Sequence, residues 1–182
     1  MILPIFLYGQ QVLREVAEDM DLSSKDEIKE LAGNLWETLA QADGCGLAAP
    51  QVGISKRVCV VDGTVVSDTY PYLKDFKRTF INPKVIETSS EQNVYSEGCL
   101  SVPGIYADVR RPARIKVEYF NEDLEKVTEE FDNFAARMIQ HEFEHLDGGL
   151  FIDDLAPVRK KILSKRLQNI SKGKVSTRYR TK

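Results

Sequence analysis

The chain has 182 residues, 42% hydrophobic and 29% charged, with a net charge of −3, which fits one domain with a real core and is too short for two ordinary ones. No run of about 18 apolar residues occurs, and the apolar opening Met1–Leu7 lacks the basic flank and cleavage site of an export signal, so neither a membrane partner nor secretion is expected. Cys45, Cys59 and Cys99 are an odd number of cysteines, so a disulfide framework is a poor reading and a cytoplasmic chain with free thiols or thiolate ligands is expected.

In chain order, Ser24-Lys25-Asp26-Glu27 reads as a capping box, and Ile28, Leu31, Leu35 and Leu39 follow at helical spacing to about Ala42. Asp43-Gly44 ends that helix, and the Gly/Ala-rich run Gly44–Gly53 reads as a loop before a strand around Arg57–Asp62. Two short strands are expected at Thr79–Asn82 and Val85–Thr88. Glu97-Gly98-Cys99-Leu100-Ser101 reads as a short polar loop ahead of Pro103-Gly104. Arg114–Phe120 and Glu125–Phe131 read as a hairpin turning at Asn121-Glu122-Asp123. Asp132 then caps a helix from Asn133 to about Asp147, stopped by Gly148-Gly149. A last helix starts at Pro157 with Val158, Ile162, Leu163 and Leu167 as its buried stripe. Strands grouped around a helix, without βα alternation, predict an α+β fold: short antiparallel strands packed around one central helix. Residues 1–182 read as a single domain in which 155–182 form a basic helix or tail.

That tail carries ten basic and no acidic residues, so the net −3 leaves −13 on the first 154. Such an arm attracts polyanions, a ribosomal RNA surface among them; the competing reading is a solvated helix that docks by its apolar stripe.

The chemistry concentrates in the central helix. His141-Glu142-Phe143-Glu144-His145 contains the only two histidines, four apart and therefore on one helix face, where both imidazoles can hold one metal ion while Glu142 reaches a metal-bound water. A catalytic site of this kind needs a third protein ligand. After Glu144 the chain offers only Asp147, Asp153 and Asp154, close to the helix end, and Phe151 stands where a longer histidine motif would place its last ligand. An upstream thiolate is the obvious donor, and Cys99, preceded by a glycine that lets backbone approach closely, is the candidate. Cys59, inside Val58–Val61, reads as a buried small hydrophobe, and Cys45 as a pocket-lining residue.

Gly44-Cys45-Gly46-Leu47-Ala48-Ala49-Pro50-Gln51, Glu97-Gly98-Cys99-Leu100-Ser101 and His141-Glu142-Phe143-Glu144-His145 together resemble the three signature motifs of peptide deformylases, in the same order. Tyr8-Gly9, Val12-Leu13-Arg14, Ile81-Asn82-Pro83 and Leu150-Phe151-Ile152-Asp153 extend the resemblance over nearly the whole chain. One departure is Glu144, where the family more often has Asp; the expected effect is on a contact behind the ligands.

The resemblance implies a metal-dependent hydrolase that removes the formyl group from N-formylmethionyl nascent peptides. Cys99, His141 and His145 would be the ligands and Glu142 the general base, with the Gln51 amide and the Leu100 N–H on the developing oxyanion. Gly46 would bind the substrate backbone, Cys45 and Met138 would line the pocket, with plain core as the other reading of Met138, and Glu97 would orient the metal loop, against an arginine such as Arg111, for which a surface salt bridge is the competing reading. The implied cofactor is one divalent ion, Fe2+ physiologically, although the ligand types suit Zn2+, Ni2+ and Co2+ as well. The basic tail would meet the ribosome surface near the exit tunnel, and no DNA partner is expected. Two rivals remain: a zinc metallopeptidase with an aspartate as third ligand, and a nucleic-acid-binding module with a structural metal.

Overall fold

The computed structural model describes all 182 residues. Its helices are α1 (Lys25–Ala42), α2 (Asn133–Leu146) and α3 (Pro157–Ser171), and its strands are β1 (Gly46–Ala48), β2 (Val58–Asp62), β3 (Lys77–Thr88), β4 (Gln92–Cys99), β5 (Val102–Pro112), β6 (Arg114–Phe120) and β7 (Lys126–Asp132). A five-stranded antiparallel sheet runs β1-β2-β3-β6-β7, and β4 and β5 form a separate hairpin. The α+β class is as expected.

The main sheet is a wall between two helices. Cys59 and Val61 of β2, with Phe80, Val117 and Phe131, pack against Ala135, Met138, Ile139 and Phe143 of α2. Val58 and Val60, with Leu47 and Ile81, face Ile28, Leu31, Leu35 and Leu39 of α1. Burial on both faces is why Val58–Val61 is an uninterrupted apolar run, Cys59 included. In β6, by contrast, Ile115, Val117 and Tyr119 are buried and the residues between them are not, which is the alternation of a one-faced strand. A third core joins Val102, Ile105 and Ala107 of β5 to Leu150–Ile152, Leu163 and Ile170.

Several expectations need correction. The run Gly44–Gly53 is not a loop throughout: Gly46, Leu47 and Ala48 pair with Val61, Val60 and Cys59, so tertiary pairing overrides a loop-like composition, and a 3₁₀ turn, Ala49–Val52, follows. The two short strands are one, β3, broken in register between Ile81 and Lys84; Asn82 takes φ +50 there and exchanges two side-chain hydrogen bonds with the Met20 backbone. The polar loop at Glu97–Ser101 is the end of a hairpin whose first strand the sequence does not announce. Along β4 only Glu97 is buried, so no hydrophobic period marks it. In place of glycine allowing approach to a metal, a Cβ at Gly98 would strike the ring of its cross-strand neighbour Tyr106.

Neither Ser24 nor Asp132 makes a side-chain cap. The Phe134 N–H in the first turn of α2 donates to the Tyr72 hydroxyl instead. On α3 the buried residues are Leu163 and Ile170, whereas Val158 and Ile162 are exposed, because the helix docks through a neighbouring face. After α3, residues 174–182 run back to the N-terminal segment, where Thr181 bridges Ile5.

Candidate metal centre

Helix α2 lies against β1 and β2 and carries His141 and His145 one turn apart, their ring centroids 5.1 Å from each other. The β4–β5 turn brings Cys99 over the same face, with its Sγ 3.3 Å from His145 Nε2. One donor atom from each of the three lies within 4.8 Å of the others. Tetrahedral bonds of about 2.3 Å to sulfur and 2.1 Å to nitrogen hold neighbouring donors about 3.5 Å apart, so the triad fits a single small divalent ion. The aspartates after the helix are occupied elsewhere: Asp147 accepts from Arg57 at 2.9 Å and Asp153 from Arg14 at 2.8 Å, while Asp154 is exposed. Phe151 packs its ring 5.8 Å from that of His141.

Glu97 sits behind the Cys99–His141–His145 triad, 6% exposed. Arg111 grips it through two bonds of 2.7 and 2.9 Å, Arg137 Nη1 approaches at 2.5 Å, and His141 Nδ1 lies 2.8 Å away. Burial alone would raise the Glu97 pKa, but the hydrogen bonds from Arg111 and His141 hold it well below the carboxylate range. An ionised partner on Nδ1 fixes that nitrogen as the N–H and turns the Nε2 lone pair toward Cys99 and His145. Arg111 also pairs with Glu144 Oε2 at 2.6 Å, so two carboxylates, one buried and one half-buried, face two guanidiniums and the charges balance. Glu144 thus meets Arg111, on the far side of Glu97 from His141. Sequence reasoning missed Arg137; it looks like any basic helix residue, yet it is 2% exposed and also donates to the Asn93 backbone and side chain.

Glu142 is 4% exposed, and its Oε2 has no hydrogen-bond partner. Burial pushes this carboxyl up to about 7, and its unpaired oxygen is free to take a hydrogen bond from a molecule in the cleft it lines. Gly46 is there because Glu142 is: a Cβ on Gly46 would overlap the carboxylate. Gln51 Oε1 accepts the Ala48 N–H, while its Nε2 faces Ser101 Oγ at 3.1 Å and Cys99 Sγ at 3.5 Å. Burial pushes the Cys45 thiol up to about 11, and Cys59, sealed in the sheet, is far from being a ligand.

One cleft of about 650 Å³ collects Cys45, Gly46, Gln51, Glu97, Cys99, Leu100, Met138, His141 and Glu142. His145, 1% exposed, lies beneath them. Met138 is 3% exposed and belongs to both the cleft wall and the core. The sequence gives no sign that Ser176–Tyr179, from the tail, line this same cleft, or that the Tyr179 hydroxyl donates to the Leu100 carbonyl at 2.7 Å. Burial pushes that phenol up to about 12. No spacing rule connects a tail tyrosine to a motif so far upstream in the chain.

The family model described as polypeptide deformylase matches residues 2–161. The chain is 44% identical to a peptide deformylase of Cytophaga hutchinsonii over 100% of its own length and 97% of the relative's. Among solved structures it is similar to the peptide deformylase of Thermotoga maritima, with 39% identity, a TM-score of 0.77, and 86% of this chain and 99% of that one covered. It is similar also to the peptide deformylase of Thermus thermophilus, with 34% identity, a TM-score of 0.83, and 95% of this chain and 99% of that one covered.

Proposed function

The chain belongs to the peptide deformylase family and is a hydrolase that removes the formyl group from newly synthesised polypeptides, and we propose that it does so with a divalent metal held by Cys99, His141 and His145 and with Glu142 as general base. The observation that carries this reading is the convergence of the three donors beside a buried carboxylate with a free oxygen. When bound, the ion supplies Lewis acidity at the formyl oxygen and lowers the pKa of water in the site. Glu142 accepts the proton of the attacking water and passes it to the leaving amine. Water oxygen bonds to the formyl carbon, the C–N bond breaks, and formate and a free methionyl amine result.

Negative charge on the former carbonyl oxygen calls for donors fixed in advance, and Gln51 Nε2 and the Leu100 N–H take that role. Strand β1 is the edge of its sheet, so Gly46 can offer backbone groups to an extended peptide, as in strand addition. Met138 and Cys45 give the methionine side chain an apolar wall, and Glu97 orients the metal loop and His141.

Anaerobic formate release from a formyl-methionyl peptide, with the peptide chain followed by mass spectrometry, tests the reaction. Formate with an intact chain is expected; internal cleavage without formate would favour the metallopeptidase. The engagement of Asp147 and Asp153 with arginines already argues against that rival. Accordingly Cys99→Ala should abolish metal stoichiometry whereas Asp147→Asn should leave it unchanged, and the reverse result would replace the ligand set.

For the metal, ferrous iron is our assignment among the ions that suit these donors, and aerobic exposure of iron-loaded protein should cost activity within hours. No helix is long and apolar enough to cross a membrane, and we place the protein in the cytoplasm, where nascent chains emerge. On α3, Lys161 and Lys165 share the exposed face with Val158 and Ile162. A cationic face with aliphatic residues suits a ribosomal surface of RNA and protein near the exit tunnel.

A further inference from the structure

Beyond α3 the chain returns along the N-terminal segment. The Ile5 N–H donates to the Arg180 carbonyl, the Lys182 N–H to the Ile5 carbonyl and the Leu7 N–H to the Lys182 carbonyl, each at 2.9 Å. The same N-terminal segment is bonded to the cleft: the Phe6 N–H donates to the Gln51 carbonyl at 2.7 Å and the Tyr8 N–H to the Ser101 carbonyl at 2.8 Å. Tail, N-terminal segment, Gln51 and the β4–β5 turn therefore form one hydrogen-bonded frame. Residues 174–182 lie outside the stretch that matches the family model, which ends at residue 161.

The turn itself has little to hold it. Pairing jumps from Gly98 with Tyr106 to Cys99 with Val102, which leaves Leu100 and Ser101 as a two-residue link outside the ladder. Its polar groups are satisfied from elsewhere: Ser101 Oγ by Gln51, the Ser101 carbonyl by Tyr8, and the Leu100 carbonyl by the Tyr179 hydroxyl at 2.7 Å. Tyr179 is held in turn, because Thr177 Oγ1 donates to its carbonyl at 2.6 Å. Its ring packs against the α1 core.

We propose that Tyr179 is a positioning residue for deformylation: by anchoring the Leu100 carbonyl, the tail fixes the turn so that the Leu100 N–H stays aimed at the formyl oxygen. This rests on the reading of that N–H as an oxyanion donor. An oxyanion donor acts through preorganisation, and its loss costs about 10²- to 10³-fold in turnover; loosening its support while leaving it in place should cost about 10-fold. Because the hydroxyl donates its proton to the Leu100 carbonyl and acts through the turn, the loss should fall on kcat and not on KM.

The test uses the full-length metal-loaded enzyme. Tyr179→Phe keeps the ring and removes only the hydroxyl; Gln51→Leu and Lys174→Ala, the latter an exposed tail residue, are measured beside it. The expected result is a kcat about 10-fold lower with KM changed by less than about twofold, and wild-type kinetics for Lys174→Ala. A kcat for Tyr179→Phe within about twofold of wild type, or a higher KM at unchanged kcat, would overturn the proposal. Gln51→Leu removes an oxyanion donor together with a support of the turn: if it loses about 10²-fold or more while Tyr179→Phe loses nothing, the positioning role of Tyr179 fails and the oxyanion reading stands. If Gln51→Leu is fully active, the oxyanion reading fails and this inference with it. Should Tyr179→Phe not melt cooperatively, Thr177→Val, which frees the Tyr179 backbone and spares the ring, is scored by the same split.

Discussion

Gly46→Ala is the smallest change that reaches the proposed general base without touching a metal ligand. Gly46 has no left-handed backbone to preserve, so alanine meets no conformational obstacle in β1. The obstacle is Glu142. An added Cβ would stand 2.7 Å from its Cδ and 2.8 Å from its Cγ, against an ordinary carbon–carbon contact of about 3.5 Å. Relief demands a displacement of about 0.7 Å or more, which moves the Glu142 carboxylate off its present position beside His141 and into the cleft it lines. Crowding of this kind costs about 1–3 kcal/mol of stability. In catalysis it costs more, since misplacing a reacting group by about 1 Å is worth about 10²-fold. The expected variant binds its metal with wild-type stoichiometry, melts a few degrees lower and releases formate about 10²-fold more slowly at saturating substrate. Metal analysis, a thermal melt and formate kinetics on one preparation decide it. A kcat within about threefold of wild type would refute the idea that Gly46 exists to seat this carboxylate.

Arg111→Met should destabilise by about 3 kcal/mol, because it leaves the buried Glu97 and the half-buried Glu144 with less compensation; a melting temperature lowered by less than about 3 °C would refute that. Glu129 is a second, separate case with a pH signature. Burial would raise its pKa, but bonds from Arg78 and Tyr119 lower it from the ordinary 4.5. A depressed carboxylate stabilises the fold fully above that ordinary value, and the contribution fades as pH falls through the lower folded value. Glu129→Gln should therefore lose about 1 kcal/mol at pH 7 and less near pH 3.5, measured by urea midpoints at both; equal losses at the two would refute the linkage.

What could be read from sequence was whatever a local rule encodes. The His141–His145 spacing on a helix, the alternation of Ile115, Val117 and Tyr119 and the stripe Ile28–Leu39 each announce a period and a face. Cys99 followed by elimination, because the chain held no better third donor. What failed to announce itself was set by distant partners. Gly46–Ala48 is a strand because β2 lies beside it, and β4 is a strand because β5 does, although its residues are mostly polar and only Glu97 is buried. Arg137 is buried because Glu97 and Asn93 await it across the cleft. Val158 and Ile162 looked like core because apolar spacing cannot say which of two faces will be covered.

The layers behind the ligands follow a common logic. Each of these pieces is held by an ionised or hydrogen-bonding group from another element: His141 by Glu97, Glu97 by Arg111 and Arg137, and the turn after Cys99 by Gln51, Tyr8 and Tyr179. The carboxylates of Glu97 and Glu144 both meet guanidiniums, whereas Glu142, buried as deeply as Glu97, keeps a bare oxygen. Arg137 Nε, Glu144 Oε2 and His145 Nδ1 are also buried without a hydrogen-bond partner, but of the three carboxylates only Glu142 has a free oxygen with no cation in ion-pair contact. That oxygen is the one the proposed chemistry asks to take a proton from water, so the rigidity of everything around it and its own lack of a partner are two halves of the same preorganisation.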